Sequence, residues 1–322
     1  MRASPSRFES PPTIAFTHIA SREQLDYLRR YRSLIHVVAP SEPRRPMTGN
    51  SDRETRWQTE AAFFDAQAKA SVTAGITATD PAVINRYSRA TLAGALYPRE
   101  YAFALLGNPT GLSILEVGCG EGQNACLLAL LGARVAGIDI SPGAIEVARI
   151  RATVDRVSDR TEFRVGALEV APPPEQQYDV VWCEAFLHHV LNDLDDTLNR
   201  LVAALKPGGR LIVIEPVSLS KQLRRLRQVV PVAANATPDE RPLEPRELLL
   251  VQGRIPSSHT RYFRCFGRLQ RFVLPGGSYE HAAAWQKGAS NLMARADDAL
   301  LSIPSLRRFA SVVVVSGKKG SY

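Results

Sequence analysis

The sequence predicts an α/β fold: a mostly parallel sheet with helices on both faces. Three observations predict it. Ser113–Ser141 reads as strand, glycine turn, helix, strand and acid. Short apolar runs then alternate with helical segments as far as Glu215. Four consecutive valines, Val312 to Val315, mark Ser311–Ser316 as a closing strand.

The N-terminal part reads as mainly helical. Ser21 caps a helix to Ser33, with Glu23 and Gln24 in its first turn and Leu25 and Leu28 on one side. Residues 39–53 hold three prolines and a Gly-Asn pair, a linker or long loop. From Glu54, the residues Trp57, Ala61, Phe64 and Ala68 recur at helical spacing. Asp80-Pro81 caps and starts a third helix that runs past Tyr87, and a fourth spans Pro98 to Leu106, stopped by Gly107.

Ile114 to Val117 is short, apolar and closed by glycine, hence a buried strand. Gly118, Gly120 and Gly122 alternate through the turn, so main chain can bend sharply and a ligand can touch it. Residues 123–132 suit a helix, and Arg134 to Ile140 a second buried strand containing Asp139. Ser141-Pro142 starts a helix to about Val157. Thr161–Val165 and Tyr178–Cys183 are strands, separated by a proline loop at 171–174. Asn192–Leu205 is a helix, Lys206–Gly209 a tight turn and Arg210–Glu215 a fifth strand. The pattern then changes. Ser218–Val230 reads as a basic amphipathic helix and 231–258 as an irregular insertion. His259–Phe266 reads as a strand and Ser290–Leu301 as a helix.

Composition narrows the class. Apolar residues make up 45% of 322, enough for a substantial core. No apolar run approaches the roughly 18 residues of a membrane span, and the N-terminus lacks the apolar stretch of a secretory signal. Cys119, Cys126, Cys183 and Cys265 form no CxxC pair, which points away from zinc and disulfides and toward a reducing, cytoplasmic setting. The formal charge of +8 is a weak pointer to an anionic partner.

A dinucleotide fingerprint would place its third glycine at position 123, which is Gln123; here the spacing is GxGxG, ending at Gly122. Glu116 ends the first strand, where a buried carboxylate needs a cationic or N–H partner. LEVGCGEG, GIDIS and LKPGGRLIVIEP, in that order over about residues 110–216, strongly resemble the class I S-adenosylmethionine-dependent methyltransferases. The resemblance implies a Rossmann-like sheet of seven strands with the last antiparallel. It implies S-adenosyl-L-methionine as cofactor, leaving as S-adenosyl-L-homocysteine. The core would be 108–216 and 306–322, with 1–107 a helical extension and 217–305 a substrate lid. Gly118, Cys119, Gly120 and Gly122 would approach the methionine part, with Glu116 acting through ordered water or at its amino group. Asp139 would take the ribose hydroxyls and Ile140 would pack on adenine. The family often has an aspartate where this chain has Ala167, so backbone at Ala167 and Leu168, or another side chain, would hold adenine instead. Cys183 begins the stretch beside the transferred methyl, and Arg86-Tyr87 resembles residues that fold over the cofactor carboxylate.

The acceptor is expected to be a small organic molecule, a secondary metabolite or lipid-like compound, methylated on oxygen or nitrogen and less readily on carbon. His188 and His189 are the candidate bases and Glu184 a candidate orienting group. His259, Tyr262 and His281 are candidate pocket residues. No ligand spacing points to a metal. Two rival readings exist. One is RNA methylation through the basic clusters around Arg224 and Arg264, against which stands the absence of a DPPY- or NPPF-type tetrapeptide. The other is a non-catalytic cofactor-binding protein. Nucleic acid is therefore not the expected partner; a weak contact of Ser218–Val230 with an anionic membrane surface is a further expectation.

Overall fold

The structure is a computed structural model that describes residues 50–169, 177–221, 240–255, 258–274 and 279–320. All of these lie in one compact unit, Met47–Tyr322. The helix expected at Ser21–Ser33, most of the 39–53 linker, the 171–174 loop and residues 222–230 of the expected Ser218–Val230 helix lie outside the described residues.

The elements are α1 (Asn50–Ala74), α2 (Pro81–Ser88), α3 (Pro98–Leu106), β1 (Ser113–Val117), α4 (Gln123–Leu130), β2 (Arg134–Asp139), α5 (Pro142–Val154) and β3 (Thr161–Val165). They continue with β4 (Tyr178–Glu184), α6 (Leu194–Ala203), β5 (Leu205–Pro216), α7 (Pro245–Arg254), β6 (His259–Phe263), α8 (Gln270–Val273), α9 (Ala284–Ser302) and β7 (Val312–Lys318). The seven strands form one sheet in the order β3-β2-β1-β4-β5-β7-β6. β1 to β5 pair in parallel. β7 runs antiparallel to both of its neighbours. The chain builds outward from β1 to β3, then returns to place β4 on the other side of β1. That reversal opens a crevice at the carboxyl ends of β1 and β4, where sheets of this type bind ligands.

Strand periodicity feeds two cores, one on each face. Val181, Cys183, Leu211, Val213, Val313 and Val315 face Leu198 and Leu201 of α6 and Leu248 and Val251 of α7. Val180, Trp182, Ile212, Ile214 and Val314 face Phe103 of α3, Leu127 of α4 and Ile145 of α5. Both faces are covered, so the central strands read as unbroken apolar runs rather than alternating ones. Trp182 and Leu198 are fully buried, each contributing about 1.5–3 kcal/mol of apolar burial.

Several boundaries differ from expectation. α6 starts at Leu194, because 3₁₀ turns at Leu187–His189 and Leu191–Asp193 occupy the connection from β4. The Lys206–Gly209 turn lies inside β5, where Leu205 already pairs with Tyr178 before the register shifts. β6 stops at Phe263, followed by Arg264 at φ 61, and α9 begins at Ala284, ahead of Ser290. Part of the segment expected as a lid is thus sheet: β6 pairs with β7 along five residue pairs from His259 to Phe263.

Gly122 caps α4 at φ 76, and a Cβ there would lie 2.8 Å from the Ala148 Cβ of α5. Gly208 has a similar φ of 73 but open space around it. Gly122→Ala is expected to cost about 3 kcal/mol, left-handed strain plus overpacking, and Gly208→Ala about 1 kcal/mol of strain alone. Urea unfolding of the two variants checks this, and equal losses would contradict the tight α4–α5 approach.

Candidate functional site

A cavity of about 290 Å³ opens at the carboxyl edge of the sheet. Val117, Gly118 and Gly120 line it from the first turn, Ile138, Asp139 and Ile140 from the end of β2, and Gly166 to Glu169 from beyond β3. Ala185, Phe186, His188, His189 and Val190 line it after β4. Glu60 and Phe64 of α1 close one side, and Glu240 contributes from the insertion.

α1 is fastened across this edge. Ser71 Oγ donates to Glu121 (2.6 Å) in the glycine turn. The Asp65 carboxylate accepts from Ser141 Oγ (2.6 Å) and Gly143 N (2.8 Å), capping the N-terminus of α5. Trp57 Nε1 (3.1 Å) and Arg56 (3.2 Å) donate to Glu169. Arg56 and Arg53 also hold Asp193, at 3.1 and 2.5 Å. Glu60 and Phe64, one helical turn apart, consequently face the cavity.

At the β2 end, Asp139 Oδ2 accepts from Gly120 N (2.8 Å) and Oδ1 from Ser141 N (2.9 Å). Each carboxylate oxygen keeps a further lone pair for a ligand. Burial raises the Asp139 carboxyl above its ordinary value, against the pull of those backbone bonds. Gly120, at φ 50, has nothing within 4 Å of where a Cβ would lie, so the turn leaves open space for a bound group. Glu116, 2% exposed at the end of β1, has its Oε2 atom buried without a hydrogen-bond partner. Burial pushes its carboxyl up to about 8, with Glu184 adding to the rise and Asn124 and Arg99 opposing it.

Past β4, Ala185 adopts φ 54, uncommon for a residue with a Cβ and often found at functional turns. The cause is adjacent: Glu215, fully buried at the end of β5, accepts from Phe186 N (2.8 Å) and Leu187 N (2.6 Å). Its other oxygen pairs with His188 Nδ1 at 2.8 Å. That pairing fixes the ring and leaves Nε2 for the cavity. The His189 ring lies edge-on to Phe64, 5.7 Å between centroids. Burial lowers the His189 imidazole, but Glu240, Glu60 and Glu215 together raise it above its ordinary value. Burial pushes the Glu60 carboxyl up to about 7, helped by Glu240 and Glu169 and opposed by His189 and Arg56.

Of the residues singled out in the sequence, Gly118, Gly120, Asp139, Ile140, Ala167, Leu168, His188 and His189 come together around this cavity. Others, Glu116 among them, do not line it. Gly122 packs toward Ala148 and Phe163. Cys119 and Cys183 are buried fillers whose thiols burial pushes up. Glu184 is occupied by Arg99 Nη2 (2.7 Å) and Asn124 Nδ2 (3.0 Å). Tyr87 stacks on Phe103, 4.7 Å between centroids, and Arg86 is taken up by Glu100 and Glu280, each at 2.6 Å. His259 is exposed, Tyr262 packs on the α6-side core and His281 pairs with Asp80. The sequence reading missed Glu60, Glu169, Phe186, Glu215 and Glu240. The i, i+4 spacing of Glu60 and Phe64 on α1 was a usable signal for one pair; Glu240 carried none.

A family model described as "Methyltransferase domain" matches residues 115–213. The chain is 41% identical to the mitochondrial ubiquinone biosynthesis O-methyltransferase of Schizosaccharomyces pombe over 105 residues, 32% of this chain and 38% of that one. It is 34% identical to 27-O-demethylrifamycin SV methyltransferase of Amycolatopsis mediterranei over 126 residues, 37% and 46% of the two chains. The chain spans less than half the length of these curated relatives. Among solved structures, the [4+2]-cyclase SpnF matches with TM-score 0.51 at 19% identity, covering 83% of this chain and 97% of that one. Geranyl diphosphate C-methyltransferase from Streptomyces coelicolor A3(2), solved with S-adenosyl-L-homocysteine bound, matches with TM-score 0.50 at 16% identity, covering 82% and 98%. At such identities these two establish the fold alone. The domain at residues 115–213 belongs to the class I S-adenosylmethionine-dependent methyltransferases. The cofactor of that family is S-adenosyl-L-methionine.

Glu60 and Glu116 have folded values, about 7 and about 8, above the ordinary 4.5. The folded state then holds extra protons, and this stabilisation is full below about pH 4.5 and lost as pH rises through about 7 and 8. Ligand-free protein is expected to lose stability between about pH 4.5 and pH 8 and to level off above, and Glu60→Gln or Glu116→Gln to recover on the order of 2 kcal/mol near pH 9. Thermal melts across that range check this; variants parallel to the parent at every pH would contradict it.

Proposed function

We propose that the chain transfers a methyl group from S-adenosyl-L-methionine to an oxygen or nitrogen atom of a small organic molecule. One observation carries this reading. A single cavity has Asp139 and the glycine turn at one end and His188, His189, Glu60 and Phe64 at the other. The residues fit the cofactor. Glu116 offers a buried, unpartnered carboxylate oxygen, Asp139 offers spare lone pairs and Gly120 offers open space.

When bound, the cofactor supplies an electrophilic methyl group on a sulfonium. In this reading Asp139 takes the two ribose hydroxyls and Glu116 the ammonium of the methionine part. Ile140 and Leu168 flank adenine, with Glu169, which also lines the cavity, the acid available to its amine in place of the missing one at Ala167. Phe64, Phe186 and the two imidazoles hold the acceptor and exclude water, so that its nucleophilic atom sits about 3 Å from the methyl carbon, in line with sulfur. A hydroxyl acceptor must also lose a proton. Glu60, with a carboxyl near 7, is suited to take it at neutral pH. Glu184, held by Arg99 and Asn124, keeps a structural part here. A cytoplasmic location accompanies the reading, supported by four free cysteines; among the described residues no helix is long and apolar enough to cross a membrane.

Asp139→Ala is expected to weaken S-adenosylmethionine binding at least tenfold, about 1.4 kcal/mol, measured by calorimetry. Unchanged affinity would remove Asp139 from the site. Methyl-labelled cofactor incubated with metabolite extract and protein is expected to deliver label to small molecules. Label recovered in nucleic acid would overturn the choice of substrate, and no transfer to anything would favour a non-catalytic binding protein.

A further inference from the structure

We propose that His188, His189 and Glu240 form a binding site for a divalent transition-metal ion at the acceptor end of the cavity. One ligand atom from each of the three lies within 4.8 Å of the other two. His189 Nδ1 is 3.3 Å from Glu240 Oε1, yet this buried nitrogen has no aligned hydrogen-bond partner. Two donors on one tetrahedral ion, each at about 2.1 Å, are about 3.4 Å apart. The pair therefore has the spacing of neighbouring ligands more than that of a hydrogen bond.

The third ligand is prepared by its support. Glu215 is fully buried and grips His188 Nδ1 at 2.8 Å, with two backbone N–H groups holding the carboxylate in turn. A carboxylate behind a histidine in this way fixes the tautomer and orients Nε2 for a metal. With Nδ1 taken by Glu215, Nε2 is the His188 nitrogen left for the ion. Two imidazoles and one carboxylate select a transition ion such as zinc, cobalt or iron over magnesium or calcium, which favour all-oxygen sites. The three residues all line the cavity, so remaining coordination positions face open space. Glu60, also lining it, adds negative charge beside the ion.

The use of such an ion rests on the methyl-transfer reading: it would bind an oxygen atom of the acceptor and ease loss of its proton. The binding itself does not rest on that reading. The full chain, stripped with chelator and without S-adenosylmethionine, is titrated with Co²⁺ while visible absorption is followed. The expected result is saturation at one ion per chain with the intense bands of four- or five-coordinate cobalt. His189→Ala and Glu240→Ala are each expected to weaken it at least tenfold. Paramagnetically shifted imidazole N–H resonances from two histidines are expected in the unaltered Co²⁺ protein, a readout that needs no variant to fold. Non-saturating binding, affinity unchanged from the unaltered protein in either variant, or shifted resonances from fewer than two histidines would overturn the site. Calorimetry with S-adenosylmethionine on the same metal-free protein reports separately on the cofactor, so either assignment can fail alone.

Discussion

A carboxylate at the end of a buried strand must find a partner, and the carboxyl edge of this sheet carries four. Glu116 ends near β1's last residue, Asp139 closes β2, Glu184 closes β4 and Glu215 lies at the end of β5. Each would cost several kcal/mol if left charged and unpaired. Three are satisfied internally, by different means. Arg99 and Asn124 hold Glu184. The backbone N–H groups of Gly120 and Ser141 tie down Asp139, so the glycine turn and the start of α5 are fixed to one side chain. Glu215 gathers the turn after β4 and the His188 ring. Glu116 alone among these four keeps a buried oxygen without a hydrogen bond. On the proposed reading, that incomplete acid is the one a bound ammonium group would complete.

The same edge explains α1. Little of its surface is fully buried, only Arg56, Glu60 and Ala68 among its described side chains. Its docking is polar instead, through Asp65 on the start of α5, Ser71 on the glycine turn and Arg53, Arg56 and Trp57 on the loops after β3 and β4. Exposed pairs of this kind contribute little, but Arg56, Glu169 and Asp193 are largely buried, where breaking one partner is costly. A helix held by side chains at the loops, not by the core, can close the cavity while the sheet beneath stays unchanged.

How legible these features were in the sequence follows from what builds them. The cofactor half comes from consecutive residues: a glycine turn, Asp139 at a strand end, Ile140 beside it. Strand periodicity and turn chemistry locate such groups directly. The two-sided core was equally legible, since Val180–Cys183 and Val312–Val315 have no polar alternate position. The half proposed for the acceptor comes from residues distant in sequence. Glu60 and Glu240 meet His189 only because α1 and the insertion both return to the same edge. No local periodicity encodes that. Cys119, Cys183 and Gly122 were drawn toward the ligand by motif position, whereas their side chains, or the lack of one, serve packing beneath it. Tyr87 lies outside the cavity lining because α2 packs it on Phe103 of α3.

The charge of the site runs against the charge of the chain. Overall the protein carries +8, which by itself would favour an anionic partner. Yet the described residues lining the cavity include Glu60, Asp139, Glu169 and Glu240 and neither lysine nor arginine. The nearest cations bordering it are spoken for, Arg56 by Glu169 and Asp193 and Arg241 by Glu247. In a half-buried site such local charge outweighs distant surface charge, which salt screens within about 10 Å. A phosphate-rich acceptor would meet four acidic side chains with only the two imidazoles, among the described lining residues, to offset them, whereas hydroxyl, amine or cation donors would find acceptors on three sides. The basic surface and the acidic cavity thus answer to different partners, and the chemistry of the acceptor is to be read from the cavity.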